Sequence, residues 1–98
     1  MTPIEQRFTK EKTVSVWSDW SSSGIWDAHG VCVPVDWLPV SWYAKGLINA
    51  MQTLYDYQVI DWDGEVVPYS DEHCAELEVL RTKARDQVKL ELQDWDVR

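Results

Sequence analysis

Residues 70–95, SDEHCAELEVLRTKARDQVKLELQDW, carry the clearest helical pattern in the chain. Ser70 is a residue type that caps helices, and Asp71 and Glu72 suit the positive N-terminal end of one. Apolar residues recur every three or four positions and predict a buried stripe of Cys74, Leu77, Leu80, Ala84, Val88, Leu92 and Trp95. We therefore predict an amphipathic helix over about residues 70–95.

A second amphipathic helix is predicted over about residues 39–57, within LPVSWYAKGLINAMQTLYDY (residues 38–57). Its expected apolar stripe is Val40, Tyr43, Leu47, Ala50, Met51, Leu54 and Tyr57. Trp42 then faces the opposite way, together with Lys45, Asn49 and Gln52. This makes Trp42 a candidate partner-binding residue, with burial under the N-terminal segment as the alternative.

The N-terminal half shows the alternation of β-strands. TVSVW (residues 13–17) places Val14 and Val16 on one face, and GVCVPVDW (residues 30–37) alternates in the same way. Pro34 lacks the N–H of a ladder, so the second strand lies at an edge or ends there. The serine and glycine residues between the two segments predict a turn, and hence a hairpin. Asp63-Gly64 predicts another hairpin, with a plain loop between the helices as the alternative.

These elements predict an α+β fold in which two amphipathic helices (about 39–57 and 70–95) pack on a small antiparallel sheet. The alternative is a mostly α fold with an irregular N-terminal half. A chain of 98 residues suits one domain, residues 1–98. TPIE at residues 2–5 has the spacing of a capping box, so residues 1–12 are expected to form a short helix or a flexible arm.

The net charge of −8 is concentrated in the middle of the chain, where residues 13–68 contain seven acids and one base, Lys45. Binding to nucleic acid or to anionic membranes depends on Lys and Arg, so neither is expected directly. A basic partner is favoured instead, because complementary potentials speed association. The N-terminus has no apolar run of a signal peptide and no segment has the length of a membrane span, so we expect a cytoplasmic protein.

Catalytic and cofactor motifs are missing from the sequence, which contains no nucleophile elbow, glycine-rich phosphate loop or zinc-protease motif. We therefore expect no enzyme activity and no cofactor. His29, Cys32, His73 and Cys74 could be assembled into a zinc site. However, His73 and Cys74 are adjacent and point about 100° apart on a helix, so core or surface roles are favoured and no metal is expected. The two cysteines are expected as free thiols, with a disulfide between them as the alternative.

Five of the seven tryptophans have an aspartate as a direct neighbour. In a strand, neighbouring side chains point to opposite faces, so the pattern is also typical of a tryptophan facing the core and an aspartate facing water. In an exposed loop, however, the indole can anchor a partner while the carboxylate pairs with its Arg or Lys. Trp20 and Trp26 are favoured because they flank a turn that cannot bury both. The predicted partner-binding residues are Asp19, Trp20, Trp26, Asp27, Trp42, Asp61, Trp62 and Asp63.

The first functional hypothesis is a non-enzymatic acidic module that binds a basic protein or the cationic groove of a nucleic-acid-binding complex, and so occludes it. Phage or mobile-element inhibitors (anti-CRISPR or DNA-mimic type) and nuclease immunity proteins are instances. The second is a small-ligand module that holds organic cations or sugars on tryptophan faces and aspartate carboxylates. The third is a structural subunit of an oligomer. Arg81, Arg85 and Lys89 could meet an acidic segment of a second copy in a homodimer, although cations near a helix end are the favoured interpretation.

Overall fold

The computed structural model describes residues 1–56 and 70–98. Within these ranges, helix α1 and strands β1 and β2 precede the two long helices α2 and α3, and strand β3 follows them. A single turn of 3₁₀ helix, Val35–Trp37, lies between β2 and α2. The fold is α+β, as predicted. The elements are α1 Pro3–Glu11, β1 Thr13–Val16, β2 Ile25–Trp26, α2 Trp42–Asp56, α3 Asp71–Glu91 and β3 Asp96–Val97.

The sheet has the strand order β2-β1-β3 and is mixed, so the expected purely antiparallel sheet is wrong. Strand β1 pairs with β2 in the antiparallel sense and with β3 in the parallel sense. The parallel pairing arises because the chain returns after α3 and runs beside β1. There the Asp96 N–H donates to the Lys12 carbonyl over 2.9 Å, and the Arg98 N–H donates to the Val14 carbonyl over 2.8 Å.

The strand that pairs with β1 in a hairpin lies earlier in the sequence than the predicted segment, residues 30–37. Strand β2 forms at Ile25–Trp26, directly after the serine-glycine turn, and residues 30–37 contribute one isolated bridge between Cys32 and Trp26. Gly24 has a φ of +95°, a backbone conformation that suits glycine. The chain therefore turns at Gly24, and the next residue, Ile25, already pairs with β1. Pro34 offers no N–H to extend the later segment into a strand.

Helix α2 begins at Trp42 instead of near Pro39. The Ser41 hydroxyl accepts a hydrogen bond from the Ala44 N–H, and the Glu91 carboxylate of α3 accepts bonds from the Ser41 N–H and hydroxyl over 2.6 and 2.7 Å. These contacts cap the helix and tie its first turn to the end of α3.

The buried face of α2 is rotated by about one residue from the predicted stripe. Ala44, Ile48, Met51 and Gln52 are buried, whereas Tyr43 and Ala50 of the predicted stripe are exposed. Gly24 approaches this face closely, since a Cβ atom there would lie 2.9 Å from Ile48 Cγ2 and 3.0 Å from Met51 Cε. The turn before β2 therefore packs on this side of the helix, and α3 packs on it as well.

Helix α3 follows the predicted pattern over most of its length. The Ser70 hydroxyl accepts the His73 N–H over 3.1 Å and caps the helix. Ala84 and Val88 are buried, and Leu77 and Leu80 pack at the edge of the core, but Cys74 is exposed. The helix ends at Glu91, before the predicted residue 95, because the chain after it turns to pair with β1.

The core lies between the sheet and helices α2 and α3. Trp95 reaches it from the turn before β3 and packs edge-to-face on Phe8 of α1, with 5.3 Å between ring centroids. Among the described residues, no helix has the length and apolar character that crossing a membrane requires. The buried apolar residues are Phe8, Val14, Val16, Ile25, Val33, Leu38, Ala44, Ile48, Met51, Ala84, Val88 and Leu92.

Candidate functional site

The tryptophan loop, defined here as residues 17–22, follows β1 at the protein surface. Val14 and Val16 of β1 are buried, so strand alternation turns Trp17 outward. Trp17 is 54% exposed and Trp20 is 60% exposed. Asp19 lies between them in sequence and is also exposed. One short loop thus presents two indoles and a carboxylate to solvent.

Gln52 of α2 holds the tryptophan loop in place. Its side chain is buried, and its amide N–H₂ donates to the Asp19 carbonyl over 2.6 Å and to the Asp56 carboxylate over 2.9 Å. Its amide oxygen accepts from the Ser22 hydroxyl over 2.8 Å. Asp56 also accepts the Ser21 N–H over 3.2 Å. Polar contacts with α2 therefore hold the loop, while Trp17 and Trp20 stay more than half exposed.

Arg81 of α3 covers one face of Trp17. The guanidinium carbon lies 4.2 Å from the indole centroid, which is a cation–π contact. Arg81 also forms an ion pair with Glu78 on the same helix. The first residue of the predicted basic stripe is thus engaged within the chain.

Trp17 and Asp19 both line two surface clefts. The first has a volume of about 420 Å³, and Trp17, Asp19 and Trp26 line it. The second has a volume of about 320 Å³ and lies between the tryptophan loop and α3, with Tyr55, Leu77 and Arg81 in its walls. Arg81 lines the second cleft and not the first. The lining of the first cleft thus includes Trp17 but not Arg81.

Trp26 of β2 is half-buried, and its indole N–H donates to the Trp17 carbonyl over 2.9 Å. The hydrogen bond fixes the ring beside the tryptophan loop in the wall of the first cleft. The structure therefore brings together Asp19 and Trp26 of the predicted site, whereas Trp20 is exposed beside Asp19 and lines neither cleft.

Asp27 has a structural role that removes it from the partner-binding surface. The residue is buried, with 4% of it exposed, and its carboxylate accepts bonds from the His29 and Val31 N–H groups and from Arg7 over 2.8, 2.9 and 2.8 Å. Burial by itself raises the pKa of the carboxyl group. The hydrogen bonds from Val31, Arg7 and His29 outweigh burial, so the pKa of Asp27 lies below its ordinary value of 3.8. The predicted role of Asp27 in pairing with a partner's cation is corrected accordingly.

Trp42 is the most exposed of the described tryptophans, at 84%, but it is separate from the tryptophan loop. It stands in the first turn of α2, ten residues before Gln52, which is about 15 Å along a helix. Lys45 lies over its ring, 5.1 Å from the centroid. Because Gln52 is buried, the predicted shared outer face of Trp42 and Gln52 does not exist. Asp61, Trp62 and Asp63, with the predicted Asp63-Gly64 hairpin, lie outside the described residues.

The four residues considered for a zinc site are not assembled into one. His29 Nε2 lies 2.9 Å from a Glu11 carboxylate oxygen, and His73 Nε2 lies 2.9 Å from the Leu54 carbonyl oxygen. Cys32 and Cys74 are both free and exposed. Within residues 1–56 and 70–98, no cluster of three or more His, Cys, Asp or Glu side chains could hold a metal ion.

Sequence reasoning missed three residues of this site: Trp17, Gln52 and Arg81. The alternation of TVSVW does predict an exposed Trp17, because Val14 and Val16 face the core and the next residue then faces outward. Gln52 and Arg81 gave no comparable signal, since their roles depend on how α2 and α3 pack beside the loop.

No protein-family model matches this chain, and the curated proteins contain no sequence significantly similar to it.

Proposed function

We propose that the chain is a non-enzymatic binding module that docks the tryptophan loop on a cationic surface of a partner protein. One observation supports this most strongly. Trp17 and Trp20 remain more than half exposed in a loop that hydrogen bonds to the buried Gln52 hold in place.

Exposed indoles are costly for a domain of this size. Complete burial of a large apolar side chain contributes about 1.5–3 kcal/mol, and a small domain has little core to spare. Tryptophan is also enriched among the residues that dominate the energy of protein interfaces. Two neighbouring indoles left in water on an ordered loop are therefore typical of a surface that is buried in a complex.

The charge of the chain indicates the kind of partner. The net charge is −8, and the Asp19 carboxylate forms no ion pair with the cations of residues 1–56 and 70–98. Opposite charge on the partner speeds association and disfavours acidic competitors. A basic protein, or the cationic groove of a nucleic-acid-binding complex, fits this surface. Phage or mobile-element inhibitors and nuclease immunity proteins are settings in which such occlusion is useful.

The test is a comparative capture from a lysate of the source organism. Wild type, Trp20→Ala and Trp42→Ala are immobilised side by side, and the captured proteins are quantified at low and at high salt. Trp42→Ala is the matched control, because it also removes one exposed indole from a folded chain. The proposal predicts a basic protein that wild type and Trp42→Ala capture, that Trp20→Ala loses, and that high salt releases. Equal capture by Trp20→Ala, or capture of no basic protein, contradicts it.

A small-ligand module is the second candidate, and the first cleft favours it. Its volume of about 420 Å³ falls within the range of about 300–1,000 Å³ that is typical of ligand pockets. Tryptophan faces and the Asp19 carboxylate suit organic cations or sugars. Salt separates the first candidate from a sugar-binding module, since steered association of proteins slows with ionic strength, whereas binding of an uncharged sugar is insensitive to it.

A further inference from the structure

We infer that the first cleft is a receptor for a single arginine side chain of the partner protein. The inference rests on the proposed function, because it names the partner group that the tryptophan loop recognises. It follows from the charges around the cleft, the two tryptophans that line it and the size of the space.

The cleft contains one charge that the described residues leave unneutralised. Three ionisable side chains line it: Asp19, Asp27 and Arg98. Asp27 is paired with Arg7 over 2.8 Å, and Arg98 is paired with Asp96 through two nitrogens at 3.0 and 3.1 Å. Asp19 has no ion-pair partner in the described ranges. The lining therefore carries the equivalent of one negative charge, which one cation would balance.

The aromatic walls favour a planar cation. Trp17 and Trp26 both line the cleft, and the hydrogen bond between the Trp26 indole and the Trp17 carbonyl fixes their relative positions. A guanidinium stacks on indole more readily than a compact ammonium does, and it can donate to a carboxylate at the same time. The chain itself provides an example of this contact, because the Arg81 guanidinium lies over the Trp17 ring at 4.2 Å from its centroid.

The other groups of the cleft do not oppose a cation. Ser15, Ala28 and Gly30 complete its lining and carry no charge. Arg98 would repel an incoming arginine, but its guanidinium is held by Asp96. A space of about 420 Å³ admits one arginine side chain together with some water. Trp17 and Trp26 offer indole rings on which a guanidinium can stack, and the Asp19 carboxylate supplies the counter-charge for that guanidinium.

The experiment uses the whole chain and defined probes followed by NMR. N-acetyl-arginine methylamide is titrated against the tryptophan indole N–H resonances, and the Trp26 resonance reports on the cleft. N-acetyl-citrulline methylamide is the uncharged isostere, and choline represents small organic cations. We expect saturable shifts with the arginine amide at a Kd on the order of millimolar, with the citrulline amide roughly tenfold weaker.

Two variants assign the effect to the cleft. Asp19→Asn keeps an oxygen that can accept the Trp20 N–H and removes the charge, so the arginine amide is expected to bind roughly three- to tenfold more weakly. Asp86→Asn is the matched control, since it removes one exposed carboxylate from α3 away from the cleft, and it is expected to bind like wild type.

Several outcomes would overturn the inference. They are equal binding of the arginine and citrulline amides, undiminished binding by Asp19→Asn, and tighter binding of choline than of the arginine amide. The comparison of probes on wild type decides the question even if Asp19→Asn fails to fold. A negative titration with the arginine amide does not decide the capture experiment with Trp20→Ala. This inference and the proposed function can therefore fail separately.

Discussion

Arg81 stacks its guanidinium on the indole of Trp17 at 4.2 Å and thereby joins the middle of α3 to the loop that follows β1. The contact buries one side of a tryptophan that is otherwise half in water. Arg81 is also the first residue of the basic stripe of α3, so this residue is already engaged within the chain. The positions of the tryptophan loop and of α3 are therefore coupled through one pair of side chains.

Breaking this pair tests the coupling. Arg81→Ala and Trp17→Ala, alone and together, form a double-mutant cycle whose interaction free energy is expected to be about 0.5–1 kcal/mol, the range of an exposed cation–π contact. The free energies come from urea unfolding. Arg85→Ala, on the same stripe of α3, combined with Trp17→Ala is the control and should show no coupling. A coupling near zero for Arg81 and Trp17 would refute the stabilising role of the stack.

Gly24 is predicted to tolerate no side chain. Its φ is +95°, and a Cβ atom would meet Ile48 and Met51 at 2.9 and 3.0 Å. Gly24→Ala is therefore expected to lower the free energy of unfolding by roughly 2–4 kcal/mol, combining backbone strain with overpacking. Gly30→Ala is the matched control, because φ is +77° there but a Cβ atom would have no neighbour within 4 Å. It should cost about 1–2 kcal/mol. Equal losses in urea unfolding would show that the contact with α2 is unimportant.

Asp27 is predicted to make stability depend on pH in the acid range. Its pKa in the folded chain lies below its ordinary value of 3.8. The stabilisation is therefore fully present above that value, and it is lost as pH falls through the lower pKa of the folded state. Urea unfolding between pH 6 and pH 2.5 should show a slope below about pH 4 that Asp27→Asn reduces. Asp36→Asn, at an exposed carboxylate, is the control. An unchanged slope in Asp27→Asn would exclude Asp27 as its source.

Gln52 is predicted to order the tryptophan loop. Gln52→Ala removes the hydrogen bonds to Asp19, Ser22 and Asp56 and is expected to destabilise the chain by about 1–3 kcal/mol. Amide hydrogen exchange of Ser21 and Ser22 should accelerate more than that of the α3 core. Asn49→Ala, on the exposed side of α2, should leave both quantities unchanged. If exchange in the loop stays slow in Gln52→Ala, other contacts order it.

The fold was predictable where local signals agree. Ser70 caps α3, and its apolar spacing runs along the face that packs on the core, because capping and periodicity are properties of the segment itself. Strand β3 carried no such signal, since Asp96 and Val97 become a strand only by pairing with β1. The buried face of α2 differs by about one residue from the predicted stripe, because that face depends on how α3 and the turn before β2 pack on the helix and not on the helix alone.

The candidate site was predictable only in part, for the same reason. Exposure of Trp20 follows from its place beside a turn of serine residues. Asp27 adjoins a tryptophan just as Asp19 does. Its carboxylate, however, is enclosed by Arg7 and by the backbone of residues 29 and 31. A dipeptide pattern does not distinguish a free carboxylate from one that is held by distant parts of the chain.

The affinity of the captured partner for single-tryptophan variants tests the central claim most directly. Calorimetric titration of the purified partner is carried out with wild type, Trp20→Ala and Trp42→Ala at one ionic strength. If the tryptophan loop is the binding surface, Trp20→Ala raises Kd by about 30-fold or more, which corresponds to an interface hot spot of about 2 kcal/mol. Trp42→Ala is expected to change Kd by less than about threefold. A Kd for Trp20→Ala within about threefold of wild type would contradict the claim.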